Sequence, residues 1–247
     1  MKLFDNLYAY LWPGLTYEEM VRFGGNCNSY VITDAFTHKG KKTHIVIDPG
    51  HIANDLGIQC LEKLGQEMKQ EGLDIEDVGL VINTHSHRDH CESSPVFQEM
   101  NAALVAVGEI EVEYYQTIGR RRYQNRGGIH VPDLVPDLKM KTGDWKLDGL
   151  TLQVILTPGH TPGHISLYWA EKRTLIVGDV IFYHNTGRVD LPKGNGDDLR
   201  DSIERLSQLD VEYLLTGHQY EGPGVISGKE AVERNFEFIK THVLPYL

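Results

Sequence analysis

The 247-residue sequence has little of what disulfide-rich, membrane-spanning or nucleic-acid-binding proteins require. Its three cysteines, Cys27, Cys60 and Cys91, are too few and too scattered for a disulfide framework. No apolar run approaches the roughly 18 residues of a membrane span, and the first residues lack the apolar stretch of a secretory signal. Cationic side chains are also scarce, since 24 Lys and Arg face 35 Asp and Glu, for a formal net charge of -11. These absences predict a cytoplasmic protein with no membrane or nucleic-acid partner, and they leave homo-oligomerisation open.

Hydrophobic residues make up 40% of the chain, which is enough for a sizeable core. Apolar runs typical of strands alternate with helical stripes, without a linker, a low-complexity segment or a short repeat. The predicted strands are 28–33, 43–47, 78–83, 102–107, 150–156, 164–169, 174–177 and 211–215, and the predicted helices are 55–70, 197–209 and 230–243. This order predicts one α/β domain over 1–247, in which helices cover both outer faces of two β-sheets.

One short run carries most of the functional information. His85, His87, Asp89 and His90 follow the apolar strand 78–83 directly. Imidazole and carboxylate groups are ligands of zinc, and also of iron and manganese. Side chains at i and i+2 of an extended chain share a side, so the first two histidines can meet one ion while the other pair turns toward a second. A polar turn that happens to contain histidines is the alternative, but this density of ligands at a strand end disfavours it.

Three later strands end in a ligand as well. These ligands and their strands are His160 after 150–156, Asp179 after 174–177, and His218 after 211–215. In packed α/β sheets, chemistry collects at the carboxyl ends of strands. We therefore expect the later ligands to meet the first cluster.

The order of these ligands resembles the signature of the metallo-β-lactamase fold hydrolases. That signature reads His-x-His-x-Asp-His, then a distant His, a bridging Asp and a final His, and the resemblance extends from about residue 26 to 218. It implies an αββα four-layer sandwich and two divalent ions, with zinc expected and iron or manganese as alternatives. The ligands that it implies are His85, His87 and His160 for one ion, Asp89, His90 and His218 for the other, and Asp179 between them.

The same resemblance implies hydrolysis by a metal-activated water, with Asp89 as a proton shuttle. Two runs, Thr157-Pro-Gly-His-Thr-Pro-Gly-His164 and Gly187-Arg-Val-Asp-Leu-Pro192, resemble hydroxyacylglutathione hydrolases (glyoxalase II) and related thioesterases. We therefore expect a thioester or a similar carboxylic ester as the substrate. Alternatives within the fold are a single-iron persulfide dioxygenase and a lactonase. A non-catalytic metal-binding protein is the alternative from another class.

Substrate contacts are less well marked than metal ligands. The segment at about 108–128 reads as a helical cap inserted between two ligand-bearing strands, and it carries Arg120, Arg121 and Arg122. A guanidinium fork suits an anionic substrate, although a solvated basic face is the simpler interpretation of this cluster. Tyr183 is a further candidate, because lactonases of this fold place a tyrosine close after the bridging aspartate.

Several neighbouring residues resemble ligands without fitting the signature. His164 lies beyond a turn from His160, so a buried structural role is predicted for it. Asp48 ends a strand and either orients a ligand or caps a turn. His51 is predicted to be a solvated loop histidine. Cys91 is expected to be a small buried hydrophobe.

Overall fold

The computed structural model describes residues 1–14, 16–124, 132–220 and 222–247. Its strands are β1 (Lys2–Phe4), β2 (Leu7–Tyr10), β3 (Ser29–His38), β4 (Lys41–Ile47), β5 (Val78–Asn83), β6 (Leu104–Gly108), β7 (Leu138–Met140), β8 (Gly143–Leu147), β9 (Leu150–Leu156), β10 (Ile165–Trp169), β11 (Thr174–Gly178), β12 (Ile181–Phe182), β13 (Asn185–Thr186), β14 (Tyr213–Thr216) and β15 (Val225–Ser227). Its α-helices are α1 (Tyr17–Phe23), α2 (Cys60–Gln70), α3 (Arg88–Cys91), α4 (Ser94–Asn101), α5 (Glu109–Tyr114), α6 (Arg120–Gln124), α7 (Gly196–Leu206) and α8 (Lys229–His242).

The strands form two main sheets. Strands β1 to β7 follow one another in chain order across the first sheet, and the second sheet has the order β15-β14-β11-β10-β9-β8. In the first sheet β4, β5, β6 and β7 run parallel to one another, and in the second sheet β11 and β14 are the parallel pair. The predicted two-sheet α/β architecture is therefore confirmed.

Side chains alternate between the two faces of each strand, and this divides the apolar residues among three cores: one between the sheets and one between each sheet and its outer helices. In β4, Ile45 and Ile47 face the core between the two sheets, whereas Val46 faces the helices outside the first sheet. In β11, Ile176 faces the inter-sheet core and Leu175 packs against the residues of α7 and α8. Successive strand residues point to opposite faces, so strands buried on both sides appear in the sequence as continuous apolar runs. This is the physical basis of the four-layer arrangement.

Several boundaries differ from the predicted ones. The helix expected at 55–70 begins at Cys60, because Asn54 Oδ1 accepts the N–H groups of Leu56 and Ile58, each at 3.1 Å, and holds a turn there. Gly57 lies inside that turn with a φ of +75°, which suits glycine. Strands 78–83 and 150–156 coincide with the predicted bounds. The short elements β1, β2, β7, β8, α1 and α4 were not predicted, since their apolar patterns are too brief to show a period.

The segment predicted to be a helical cap is helical as far as the structure describes it. Helix α5 continues through a π-helical turn, Tyr115–Gly119, into α6. The remainder, 125–128, lies outside the described residues. Within the described ranges, no helix combines the length and the apolar character needed to cross a membrane.

Candidate metal centre

The ligand candidates converge because the parallel strands of both sheets end on the same side. Parallel β4 and β5 deliver Asp48 and the His85–His90 run. Parallel β11 and β14 deliver Asp179 and His218 from the other sheet. The two edges are joined directly, since the backbone N–H of Ile165 donates to the carbonyl of Thr84 over 2.9 Å. The side chains at the strand ends therefore face one shared cleft.

The first group of three is built around one nitrogen of His87. Nδ1 of His87 lies 2.9 Å from Nε2 of His85 and 2.8 Å from Nε2 of His160. All three rings are buried. Burial lowers the pKa of His85 well below its ordinary value, and the neighbouring His90 and His87 rings add to this effect. Burial also lowers the pKa of His87 well below its ordinary value, and the ring of His160 adds to it. Neutral imidazoles with converging nitrogens are the form that binds a metal ion.

The second group consists of Asp89, His90 and His218. Nε2 of His218 lies 3.3 Å from Oδ2 of Asp89 and 3.2 Å from Nε2 of His90. Two ring nitrogens this close, with a carboxylate oxygen beside them, form a compact N/O donor set. All of its candidate ligand atoms lie within 4.8 Å of one another.

Asp179 lies between the two groups. Its Oδ1 is 3.3 Å from Nε2 of His90 and 3.4 Å from Nε2 of His218, whereas its Oδ2 is 3.5 Å from Nε2 of His160. One oxygen therefore faces each group. The backbone N–H of Asp179 donates to Nε2 of His164 over 3.2 Å, and Nδ1 of that ring is 2.9 Å from Thr157 Oγ1. His164 is thus buried behind Asp179, with both of its ring nitrogens engaged.

Hydrogen bonds on the far side of three rings determine which nitrogen faces the centre. Nδ1 of His160 donates to the carbonyl of Arg188 over 2.7 Å, and Nδ1 of His218 donates to the carbonyl of Asn26 over 3.0 Å. Nδ1 of His90 donates to Oδ2 of Asp48 over 2.9 Å. Each bond leaves Nε2 pointing inward, as in the carboxylate–histidine pairs of metal sites. Asp48 also accepts the backbone N–H and the hydroxyl of Thr84, each at 2.7 Å, so it combines the two roles considered for it, holding the turn and orienting His90.

The carboxylates of Asp89 and Asp179 and the imidazoles of His90 and His218 stabilise one another in their charged forms. Burial alone would raise the pKa of Asp89, but the hydrogen bond from His218 and the charge of His90 lower it. Burial lowers the pKa of His90, yet Asp179 and Asp48 outweigh that effect and raise it to about 10. A metal ion must displace these protons from the rings, so its affinity is expected to weaken in acid.

A cleft of about 290 Å³ opens onto these groups. Besides proposed ligands, it is lined by Arg88, Arg188, Tyr123, Tyr220 and His51. The ring of Tyr220 stacks on the ring of His218 with a centroid distance of 4.9 Å and an interplanar angle of 19°. The cleft therefore combines acidic ligands, two guanidinium groups and aromatic walls.

The predicted substrate residues are not among those that line this cleft in the described part of the chain. Arg120 and Arg121 are exposed, and Arg120 Nη2 lies 3.5 Å from Oδ1 of Asp133. The side chain of Arg122 lies outside what the structure describes. Tyr183 stacks on the ring of His184 with a centroid distance of 4.0 Å. The cap segment reaches the cleft through Tyr123 instead, whose hydroxyl accepts the backbone N–H of Arg88.

The expectation of a solvated His51 was wrong. This side chain is 7% exposed, and its Nδ1 donates to Oε2 of Glu92 over 2.7 Å. Glu92 is itself only 2% exposed. The two partners are 41 positions apart in the chain, so the pair could not be identified from the sequence. Cys91 is a fully buried free thiol, as expected.

Glu111 is a further residue that the sequence did not reveal. It is fully buried, and its Oε1 accepts bonds from the backbone N–H and the hydroxyl of Ser86, at 2.9 and 2.6 Å. Its Oε2 accepts from the hydroxyl of Thr161 at 2.6 Å and from the N–H of Gly163 at 3.1 Å. A Cβ on Gly163 would lie 2.0 Å from the backbone nitrogen of Glu111, so only glycine allows this approach. Glu111 thus ties together the two loops that carry the first group of three histidines.

The donor set suits two divalent ions. Imidazole nitrogens and carboxylate oxygens together are the ligands of zinc, iron and manganese sites. One observation supports such an ion independently: Nε2 of His87 is buried without a hydrogen-bond partner among the described residues, while its Nδ1 faces two other nitrogens. No hydrogen bond at Nε2 within the described part of the chain explains the position of the His87 ring. An ion bound to Nδ1 would explain it.

Comparisons with known proteins show the family to which the chain belongs. Residues 22–218 match the family model described as the metallo-beta-lactamase superfamily. Over 200 residues, covering 79% of this chain and 89% of the relative, the sequence is 30% identical to a probable metallo-hydrolase of Methanocaldococcus jannaschii. Over 183 residues, covering 72% and 81%, it is 29% identical to the hydroxyacylglutathione hydrolase GloC of Haemophilus influenzae. The crystal structure of TTHA1623 in a di-iron-bound form superposes with a TM-score of 0.62 and 26% identity, covering 85% of this chain and 93% of that one.

Proposed function

The chain belongs to the metallo-beta-lactamase superfamily, and within it we propose that this protein is a hydrolase that uses two divalent ions, with zinc expected, to cleave a thioester. The observation that carries the proposal is the arrangement of two ligand groups on either side of Asp179, with one carboxylate oxygen toward each. The likeness to a hydroxyacylglutathione hydrolase supports the choice of a thioester over other esters.

The ligand roles follow the geometry. The proposed ligands are His85, His87 and His160 for one ion, Asp89, His90 and His218 for the other, and Asp179 for both. When bound, the ions would lower the pKa of a water from about 15.7 to about 7 and polarise the acyl oxygen. This chemistry would favour the addition of water to a carbonyl carbon and the release of a thiol.

The protein's own groups would handle the proton and the substrate. The side chain of Asp89 is 32% exposed and lines the cleft, so the oxygen that does not face His218 can pass a proton from the attacking water toward the leaving sulfur. A thiol has a pKa of about 8.5, so the sulfur can leave as a thiolate and needs little help from proton transfer. Tyr220 and Tyr123 line the cleft and offer aromatic surfaces to the substrate.

The proposal is tested by metal analysis together with a panel of substrates. Protein produced in metal-replete medium should carry close to two transition-metal ions per chain and should hydrolyse thioesters faster than lactones. Oxygen consumption on glutathione persulfide with one iron per chain would identify a dioxygenase instead. Faster turnover of lactones would identify a lactonase, and a chain without transition metal would overturn the proposal altogether.

Glu111 provides a prediction about the support of the first site. Glu111→Gln keeps the shape of the side chain but replaces an acceptor oxygen with an N–H₂ group that faces donors, so at least one loop should lose its anchor. We expect the affinity of the first ion to fall by about 10- to 100-fold, as when other outer hydrogen-bond partners of ligands are removed. Competition with a chromophoric chelator measures this affinity.

The control for this experiment is Glu113→Gln, an exposed position in the same helix. It should leave the metal affinity within about twofold of the wild type, because surface substitutions of this kind have small effects. Equal affinities in both variants would show that Glu111 does not support the site.

A further inference from the structure

Arg88 lines the cleft that opens onto the proposed metal ligands. It stands between the proposed ligands His87 and Asp89, begins helix α3, and lines the cleft with a side chain that is 13% exposed. A substrate group bound to Arg88 would therefore lie beside the proposed metal centre. The side chain is therefore positioned to contact the part of a substrate nearest to its reacting carbonyl.

The guanidinium is held on three sides. Its Nε donates to Oε1 of Glu92 over 2.9 Å, its Nη1 to Oδ1 of Asp55 over 2.8 Å, and its Nη2 to the carbonyl of Ala53 over 3.3 Å. Each terminal nitrogen has a further N–H beyond these bonds. A fork fixed in this way loses little side-chain entropy when it binds a carboxylate.

Glu92 is the anchor of this arrangement. Besides Arg88, it accepts Nδ1–H of His51 over 2.7 Å and the backbone N–H of Ile52 over 3.2 Å. Its Oε1 therefore holds Arg88 while its Oε2 is fixed by His51 and Ile52, and this fixes the position of the guanidinium.

The second guanidinium of the cleft is arranged differently. Arg188 has a side chain that is 67% exposed, and its Nε and Nη2 bond to the two carboxylate oxygens of Asp190, at 2.9 and 2.7 Å. That bidentate pairing uses the fork through which an arginine would grip a substrate. Arg88 is the better placed of the two cations, because it is less exposed and its three bonds go to three different residues.

We propose that Arg88, positioned by Glu92, binds a carboxylate of the substrate close to the reacting carbonyl and so selects acidic acyl groups, an inference that rests on the proposed thioester hydrolysis. Charge-assisted hydrogen bonds of this kind are stronger than neutral ones. The alternative is that Arg88 serves only to neutralise Glu92 and Asp55. The two roles differ in whether removal of the cation affects charged and neutral substrates equally.

The test compares a succinyl thioester with a butyryl thioester of the same thiol. In Arg88→Gln, kcat/KM for the succinyl substrate should fall by about 10- to 100-fold, mainly through KM, while the butyryl value stays within about threefold. Arg88→Lys keeps the charge but loses the fork, so its loss should be intermediate. Arg234→Gln, an exposed arginine on α8, is the matched control and should change neither value. Equal losses on both substrates would overturn the proposal in favour of a structural role.

A binding measurement tests the anion site at Arg88 independently of the proposed hydrolysis. Metal-loaded protein is titrated with two uncleavable thioether analogues, one carboxylated and one neutral. Preference for the carboxylated analogue in the wild type, lost in Arg88→Gln, would support the anion site even if neither thioester is hydrolysed. Equal affinities in the wild type would refute the anion site even if both thioesters are cleaved. Metal content and circular dichroism of each variant show that it is folded and loaded.

Discussion

Replacing His87 with alanine should abolish hydrolysis and remove the ion of the first group. Nδ1 of His87 is the nitrogen that Nε2 of both His85 and His160 approach, at 2.9 and 2.8 Å. Without it, two imidazoles remain, which are too few to hold an ion in a site built for three protein ligands. We expect kcat/KM to fall at least about a thousandfold, because water at its ordinary pKa is a poor nucleophile. Elemental analysis and thioester hydrolysis measure the two effects on the same sample.

The matched control is His242→Ala, which removes an exposed histidine near the end of α8. It should retain the metal content and the activity of the wild type. Full metal content together with undiminished hydrolysis in His87→Ala would show that this ring is not a ligand. Loss of activity with full metal content would move the role of His87 from metal binding to the contact with substrate.

The spacing of the ligands could be read from the sequence because it is a local property. The run from His85 to His90 follows an apolar strand directly, and strand ends in parallel sheets meet at one edge. His160, Asp179 and His218 follow strands of the same kind. No long-range information was needed to expect that they converge. The structure places them together, and their role as ligands remains a proposal until metal is measured.

The residues that support the ligands could not be identified in the same way. Glu111 contacts Ser86 and Thr161, which are 25 and 50 positions away. Glu92 contacts His51 over 41 positions. A buried glutamate in a short helix has the same local pattern as an exposed one, so only the packing of the loops distinguishes them. The sequence therefore predicted the metal centre and not the hydrogen bonds that fix its shape.

The arginines also show that the residues lining the cleft could not be identified from the sequence. Arg120, Arg121 and Arg122 are three consecutive cations in an acidic chain, a pattern that suggested a contact with an anionic substrate. In the structure the first two are exposed, while the single Arg88, hidden between two ligands in the sequence, lines the cleft. Charge density along a chain reports composition, whereas contact with a cleft depends on which strand end carries the residue. Substrate contact by the three-arginine cluster stays a prediction that the same pair of thioesters can test.

Asp179→Ala should remove both ions, whereas loss of His87 should remove one. Oδ1 of Asp179 faces the second group and Oδ2 faces the first, so a single substitution deprives each site of an oxygen. It also leaves His90 and His218 without the carboxylate beside them. We expect the metal content to fall toward zero and kcat/KM to drop at least about a thousandfold. An ion that binds only the folded state raises Tm, so the rise in Tm on adding metal should also disappear.

His164→Ala distinguishes this bridging role from general damage to the centre. Nε2 of His164 accepts the backbone N–H of Asp179, so its loss loosens the carboxylate without removing it. The affinity for metal should fall by about tenfold, and the metal-dependent rise in Tm should persist. His160→Ala should lose the first ion, because that ring points its Nε2 at His87. If His164→Ala strips metal as completely as His160→Ala, the assignment of ligands is wrong. If Asp179→Ala keeps one tightly bound ion, its carboxylate serves a single site and does not join the two.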